Sequence, residues 1–161
     1  NSVKWLKRMR VLEQPFEGFY IDKVYRVFQP GEDPKSGSKV MSIPVNALIV
    51  EPETSQRLPA GLVPVRGVAY AGEAGIEKVE VSLDNGQTWR PANFVGPEQP
   101  FAWRHWEIVW KAKEGDHTIM ARATDTNGTR QPETADWNKL GYGNNGILEH
   151  AVTVHISAGQ S

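Results

Sequence analysis

The chain contains no cysteine. That removes disulfides, thiolate metal ligands, cysteine nucleophiles and iron–sulfur clusters in one step, so any core must rest on packing alone. Reduced and oxidised compartments both tolerate such a sequence. Long apolar runs are also missing: nothing approaches the roughly 20 residues of a membrane helix, and no signal peptide pattern begins at Asn1. Charge of one sign is not in excess either. Lys plus Arg number 18 against 19 Asp plus Glu, so no global field draws the chain to nucleic acid or an anionic membrane. Amphipathic helical periodicity of any length is absent.

What is present suits β-structure. Six tryptophans, eleven prolines and fifteen glycines among 161 residues fit a turn-rich domain large enough to bury a core without staples. The organising stretch runs from Ile76 to Arg90. Val79, Val81 and Leu83 alternate with Lys78, Glu80 and Ser82, the pattern of a half-buried strand. Asp84-Asn85-Gly86 supplies turn chemistry, and Trp89 opens a second apolar alternation. A three-residue loop there sets Trp89 across from Val81, on the apolar side; a two-residue turn at Asn85-Gly86 would pair Val81 with Arg90 instead and send Trp89 to the polar face. The three-residue loop is the expectation, with Gly86 as its left-handed residue.

Seven strand candidates follow this logic: Val45–Val50, Leu62–Tyr70, Ile76–Leu83, Gln87–Ala92, Trp103–Lys111, His117–Asp125 and His150–Ser157. Trp106, Ile108 and Trp110 form one inward set, Ile119, Ala121 and Ala123 another, and Val152, Val154 and Ile156 a third. The small residues leave room for a facing indole. Two packed antiparallel sheets result, an all-β, immunoglobulin-like sandwich. Ahead of them the chain is irregular. Val3–Val11 mixes Trp5, Leu6, Met9 and Val11 with Lys4, Lys7, Arg8 and Arg10 and has no clean period, so it reads as extended. Phe19, Tyr20, Tyr25 and Phe28 follow, then a linker-like run from Pro30 to Ser38. A boundary is expected near Ser42, giving residues 1–41 as an extension and 42–161 as the sandwich.

Chemistry is sparse. His105, His117, His150 and His155 are scattered without metal-ligand spacing, and read as surface or capped histidines. Asp125-Thr126-Asn127-Gly128 lacks the ligand alternation and terminal glutamate of a calcium loop, so it reads as a turn. Trp103, Trp106 and Trp110 could stack on sugars or bases, yet two of them lie on the core face. Gly141-Tyr142-Gly143-Asn144-Asn145-Gly146 is too glycine-rich for a strand and must be an irregular loop. By their chemistry alone the residues read as a structural module or an autonomous glycan- or protein-binding one rather than a complete enzyme.

Family resemblance adds to this. Ser2-Val3-Lys4-Trp5-Leu6-Lys7-Arg8 resembles the segment that closes the molybdopterin domain of sulfite oxidase-type enzymes. Arg66-Gly67-Val68-Ala69, Ile76 to Asp84 with Gly86 and Trp89, Ala121 to Asp125, Gln131-Pro132-Glu133 and Trp137-Asn138 resemble that family's carboxy-terminal dimerisation domain. The resemblance implies a homodimer and a molybdenum–molybdopterin cofactor bound mainly by a preceding catalytic domain. It further implies a cytochrome-type electron acceptor, a periplasmic location, and pterin contacts at Ser2, Val3 and Lys4. Animal and plant members carry an arginine in the substrate pocket where this chain has Leu140, so Lys139, one position earlier, is the implied substrate contact, for sulfite or a related substrate. The family's metal is held by a cysteine thiolate, which this chain lacks. The chain alone is therefore expected to be inactive, the last part of a longer oxidoreductase.

Overall fold

A computed structural model describes residues 4–28, 31–33 and 36–158. In chain order the strands are β1 (Arg26–Val27), β2 (Ser38–Lys39), β3 (Asn46–Glu51), β4 (Gln56–Pro59), β5 (Gly61–Tyr70) and β6 (Ile76–Ser82). There follow β7 (Arg90–Pro91), β8 (Asn93–Val95), β9 (Arg104–Ala112), β10 (Gly115–Asp125) and β11 (Val152–Ser157). Helix is limited to a single wide turn at Tyr20–Val24 and a 3-10 turn at Leu148–His150 among the described residues.

Two sheets form the sandwich. One has the order β4-β11-β10-β6-β7, the other β3-β5-β9-β8, and β1 pairs with β2 in a separate hairpin. Pairing is antiparallel except at one edge, where β4 runs parallel to β11. All three inward sets predicted from alternation line the core. Trp106, Ile119, Ala123 and Ile156 are fully buried, with Val65, Val79 and Val81 packed in the same cluster. Filling the space between layers with the indoles of Trp106 and Trp110 and several small side chains is what lets a cysteine-free sandwich close.

The strand candidates hold in position, with additions at the edges. β4 and β8 escaped the sequence pattern because they are short edge strands covered on one side only, and so carry no apolar alternation. The region Gln87–Ala92 contributes only Arg90–Pro91. Its register corrects the expected hairpin: Val81 pairs with Arg90, not Trp89. The strands stop at Ser82 and resume at Arg90, leaving a wider loop in which Asn85 and Gly86 both take positive φ. Two interactions outweigh the apolar pull on Trp89. Asp84 Oδ1 accepts from the Thr88 backbone N–H at 2.8 Å, holding that residue in the loop. Trp89 then lies on the outer face, with the Arg122 guanidinium 3.9 Å from its ring centroid.

Candidate functional site

The glycine-rich stretch before β11 is a loop closed at its neck. Ile147 N–H donates to the Pro132 carbonyl and Leu148 N–H to the Glu133 carbonyl, both at 3.0 Å. Glu149 reaches the Ala135 N–H at 3.2 Å, so residues 134–146 bulge as a unit from a fixed base. Gly146 fits because a Cβ there would collide with Glu149 and the Ala135 backbone. Within the bulge, Gly141 N–H donates to the Asn138 carbonyl at 2.9 Å and makes a tight turn.

This loop is anchored from below by buried amides. Gln131, 2% exposed, accepts from the Ala47 N–H at 2.9 Å and the Ala123 N–H at 3.1 Å, bridging β3 of one sheet and β10 of the other. Its Nε2 donates to Asn46 Oδ1 at 3.0 Å, and Asn46 Nδ2 donates to the Tyr70 hydroxyl at 3.2 Å. Asn145 Nδ2 donates to the Val45 carbonyl at 3.0 Å, so the loop itself enters the same network. The buried amides of Gln131, Asn46 and Asn145 are thereby each paired, as burial away from water favours.

From above, the loop meets the amino-terminal extension. Asn138 Oδ1 accepts from the Phe28 N–H at 3.5 Å and the Leu140 N–H at 3.4 Å, and the Tyr142 ring lies 5.9 Å from that of Tyr25. The extension has its own small scaffold. Val40 N–H donates to the Tyr25 carbonyl, Arg26 Nε to the Asp22 carbonyl, and Lys39 Nζ sits 2.6 Å from Asp22 Oδ1. That ammonium holds the Asp22 carboxyl below its ordinary range. Asn138 Nδ2 is buried without a hydrogen-bond partner among the described residues.

Of the residues singled out by resemblance, Ser2 and Val3 lie outside the described residues. Lys4 is exposed on a segment without regular structure, and Lys139 is exposed in the turn of the loop. What the structure joins is the later part of the extension, Tyr25 to Phe28, and the loop that carries Lys139. Sequence reading missed Asn138, Tyr142 and Gln131 as the joints, although each lies in a stretch it had marked. A buried amide betrays itself only by its neighbours in space. Trp103 is the exposed indole of the three weighed for stacking, and it already stacks on Tyr70 at 5.5 Å.

Comparison with known proteins decides the family. A family model described as the Mo-co oxidoreductase dimerisation domain matches residues 38–156. The chain belongs to that family. Its relatives include mitochondrial sulfite oxidase of Homo sapiens, 31% identical over 98% of this chain and 31% of its own length. NADH nitrate reductase 2 of Phaseolus vulgaris is 32% identical over 90% of this chain and 19% of its own length. The chain thus spans about a third or less of these relatives. Among solved structures, the sulfane dehydrogenase SoxCD from Paracoccus pantotrophus shares the fold, with a TM-score of 0.72 at 23% identity over 87% of this chain and 39% of that one. As a dimerisation domain of sulfite oxidase-type oxidoreductases, the sandwich and the clamped loop fall inside the matched range; the extension before residue 38 falls outside it.

Proposed function

We propose that this chain is the dimerisation portion of a sulfite oxidase-like molybdenum oxidoreductase, two copies of which meet through their sandwiches. Residues 1–41 are read as belonging to the cofactor domain, with the boundary near Ser42. One observation carries this division: exposed apolar side chains crowd the extension. Trp5, Leu6, Met9, Val11, Phe16 and Phe19 are all exposed, while the sandwich buries its own core. A segment with that much bare apolar surface belongs against a further folded unit.

When bound, the molybdenum–molybdopterin group would supply oxygen-atom transfer from water to sulfite or a related substrate, with electrons passing to a cytochrome-type acceptor. This chain's own side chains suit a peripheral share of that work. Among the described residues no group of three or more His, Asp or Glu could hold a metal ion, so the metal ligands are assigned to the remainder of the enzyme. Lys4 is an exposed cation suited to a pterin phosphate, in company with Ser2 and Val3; Lys139 is suited to a substrate oxyanion as a point charge. The clamped loop would carry Lys139 toward the cofactor domain while its joint with Tyr25 and Phe28 keeps it in register. These 161 residues alone would not turn over substrate.

Two measurements test this. Light scattering of the chain at micromolar concentration is expected to give twice the chain mass, and a monomer removes the dimerisation role. In the protein carrying its cofactor domain, Lys4→Ala is expected to lower molybdopterin occupancy by metal analysis; unchanged occupancy removes the cofactor contact.

A further inference from the structure

Met120 is buried on the side of its strand where water is expected. Along β10, Ile119, Ala121 and Ala123 belong to the core, so Met120 and Arg122 stand on the outer face of the five-stranded sheet. Met120 is nevertheless only 5% exposed. Two loops flank it. On one side is the β6–β7 loop, where a Cβ added to Gly86 would lie 3.6 Å from the Met120 sulfur. On the other is the neck of the β10–β11 loop, with Ile147 and Leu148 tied to the Pro132 and Glu133 carbonyls. Between the loops lies a cavity of about 690 Å³, with Met120, Ile147 and Leu148 as its apolar lining. That is within the roughly 300–1,000 Å³ of small-molecule sites.

The charge of this cavity is one-sided. Arg122 and Arg130 line it against a single carboxylate, that of Glu133. Arg122 is fixed in place: its guanidinium lies 3.9 Å from the Trp89 ring centroid, and its Nε donates at 3.0 Å to Glu80, which lies outside the lining. Its two terminal amino groups make no hydrogen bond among the described residues. Arg130 is exposed and forms no ion pair among them, with Glu133 or any other carboxylate. A guanidinium already ordered by a ring and by one carboxylate presents its remaining donors with little further loss of side-chain freedom, in the planar fork that matches an oxyanion. Beside it, covering Met120, Ile147 and Leu148 releases water from apolar surface. An inorganic anion would use only the first half of this lining. A molecule with an acid group on an apolar body uses both.

We propose that the cavity between the β6–β7 loop and the neck of the β10–β11 loop is a binding site for a small organic acid, whose oxyanion is held by Arg122 and Arg130 and whose apolar body covers Met120 and Leu148. The site is independent of the dimerisation reading above, which light scattering tests separately.

The test is a titration of the whole 161-residue chain, followed by nitrogen–proton NMR at the Arg122 Nε–H and the Trp89 Nε1–H. Phenylacetate carries both halves of the proposed ligand, inorganic sulfate only the anion, and phenylacetamide only the apolar body. Phenylacetate is expected to shift both signals saturably and to bind about tenfold or more tighter than either of the others. Arg130→Gln, at an exposed position, is expected to weaken phenylacetate about tenfold, the loss of one charge-assisted hydrogen bond. Arg57→Gln removes the same charge from edge strand β4, outside the cavity, and is expected to leave binding unchanged. Equal weakening by the two variants would mean a diffuse charge effect and overturns the site. Phenylacetamide binding as well as phenylacetate overturns the guanidinium pair, and sulfate binding as well overturns the apolar half. No saturable shift with any of the three overturns the proposal outright.

Discussion

A methyl group added at Gly67 has nowhere to go. The position lies between the Leu48 carbonyl of β3 and the buried indole of Trp106, its register partner on β9, and a Cβ would overlap both. Neither neighbour can yield: one is ladder backbone and the other is a fully buried ring. Gly67→Ala should therefore destabilise the chain by about 3 kcal/mol, the upper range for overpacking, in urea denaturation. A loss under about 1 kcal/mol would mean that the indole has space to move. At the hairpin loop the governing group is Asp84, whose carboxylate accepts from Thr88 and Ser82 and whose pKa is thereby lowered to about 2. Since the folded value lies below the unfolded one, the carboxylate favours folding above the unfolded value near 4, and that contribution disappears as pH falls toward 2. Melting curves of the wild type and Asp84→Asn should accordingly lie apart at pH 6 and converge near pH 2. A gap that stays constant across this range would remove the carboxylate from the account. Glu80 follows the same sign, drawn below its ordinary range chiefly by its 3.0 Å hydrogen bond from Arg122.

At the scale of elements, the informative case is the loop between β10 and β11. Its neck is held by backbone hydrogen bonds, its base by Gln131 and Asn145, and its crest by Asn138 and Tyr142 against the extension. Gln131 is the point where the two sheets and the loop meet. Truncating it to alanine strands the N–H groups of Ala47 and Ala123 in a dry interior, at about 1–3 kcal/mol for each unsatisfied donor. Gln131→Ala should lower stability by about 3 kcal/mol and speed amide exchange at Ala47 and Ala123; unchanged exchange there would deny the bridge. The strands themselves were largely legible, because alternation with period two states which side of an extended chain is wet. The hairpin after β6 was not. Its register turned on Arg122 stacking over Trp89, a contact between residues 33 positions apart that no local pattern encodes. The sequence-level preference for an apolar neighbour at Trp89 lost to a cation on the outer face.

For the whole molecule, the core cluster begins at Val45 and contains no residue of the extension. Removing residues 1–41 should then leave a sandwich that unfolds in one cooperative step, losing only the short β1–β2 pair and keeping β3 to β11 by circular dichroism. Loss of the cooperative transition would show that the extension is part of the core's support. For the extension only the resemblance offered a reading, because its aromatic and apolar residues have no period, and the described chain gives most of them no cover. Lys4 and Lys139, the cations proposed for the site, are both exposed, while the joints that hold the loop became visible only in three dimensions.

The amino-acid sequence by itself determined the layers of this protein: the central strands, which of their side chains face inward, and that packing rather than cross-links must hold them. Alternation is a local property and survives any arrangement of the rest. The tertiary structure alone decided the hairpin register, the edge strands and the Gln131 bridge. Each of these depends on groups distant in sequence that meet only once the sheets have closed, and their energies are set by the burial which that closure creates.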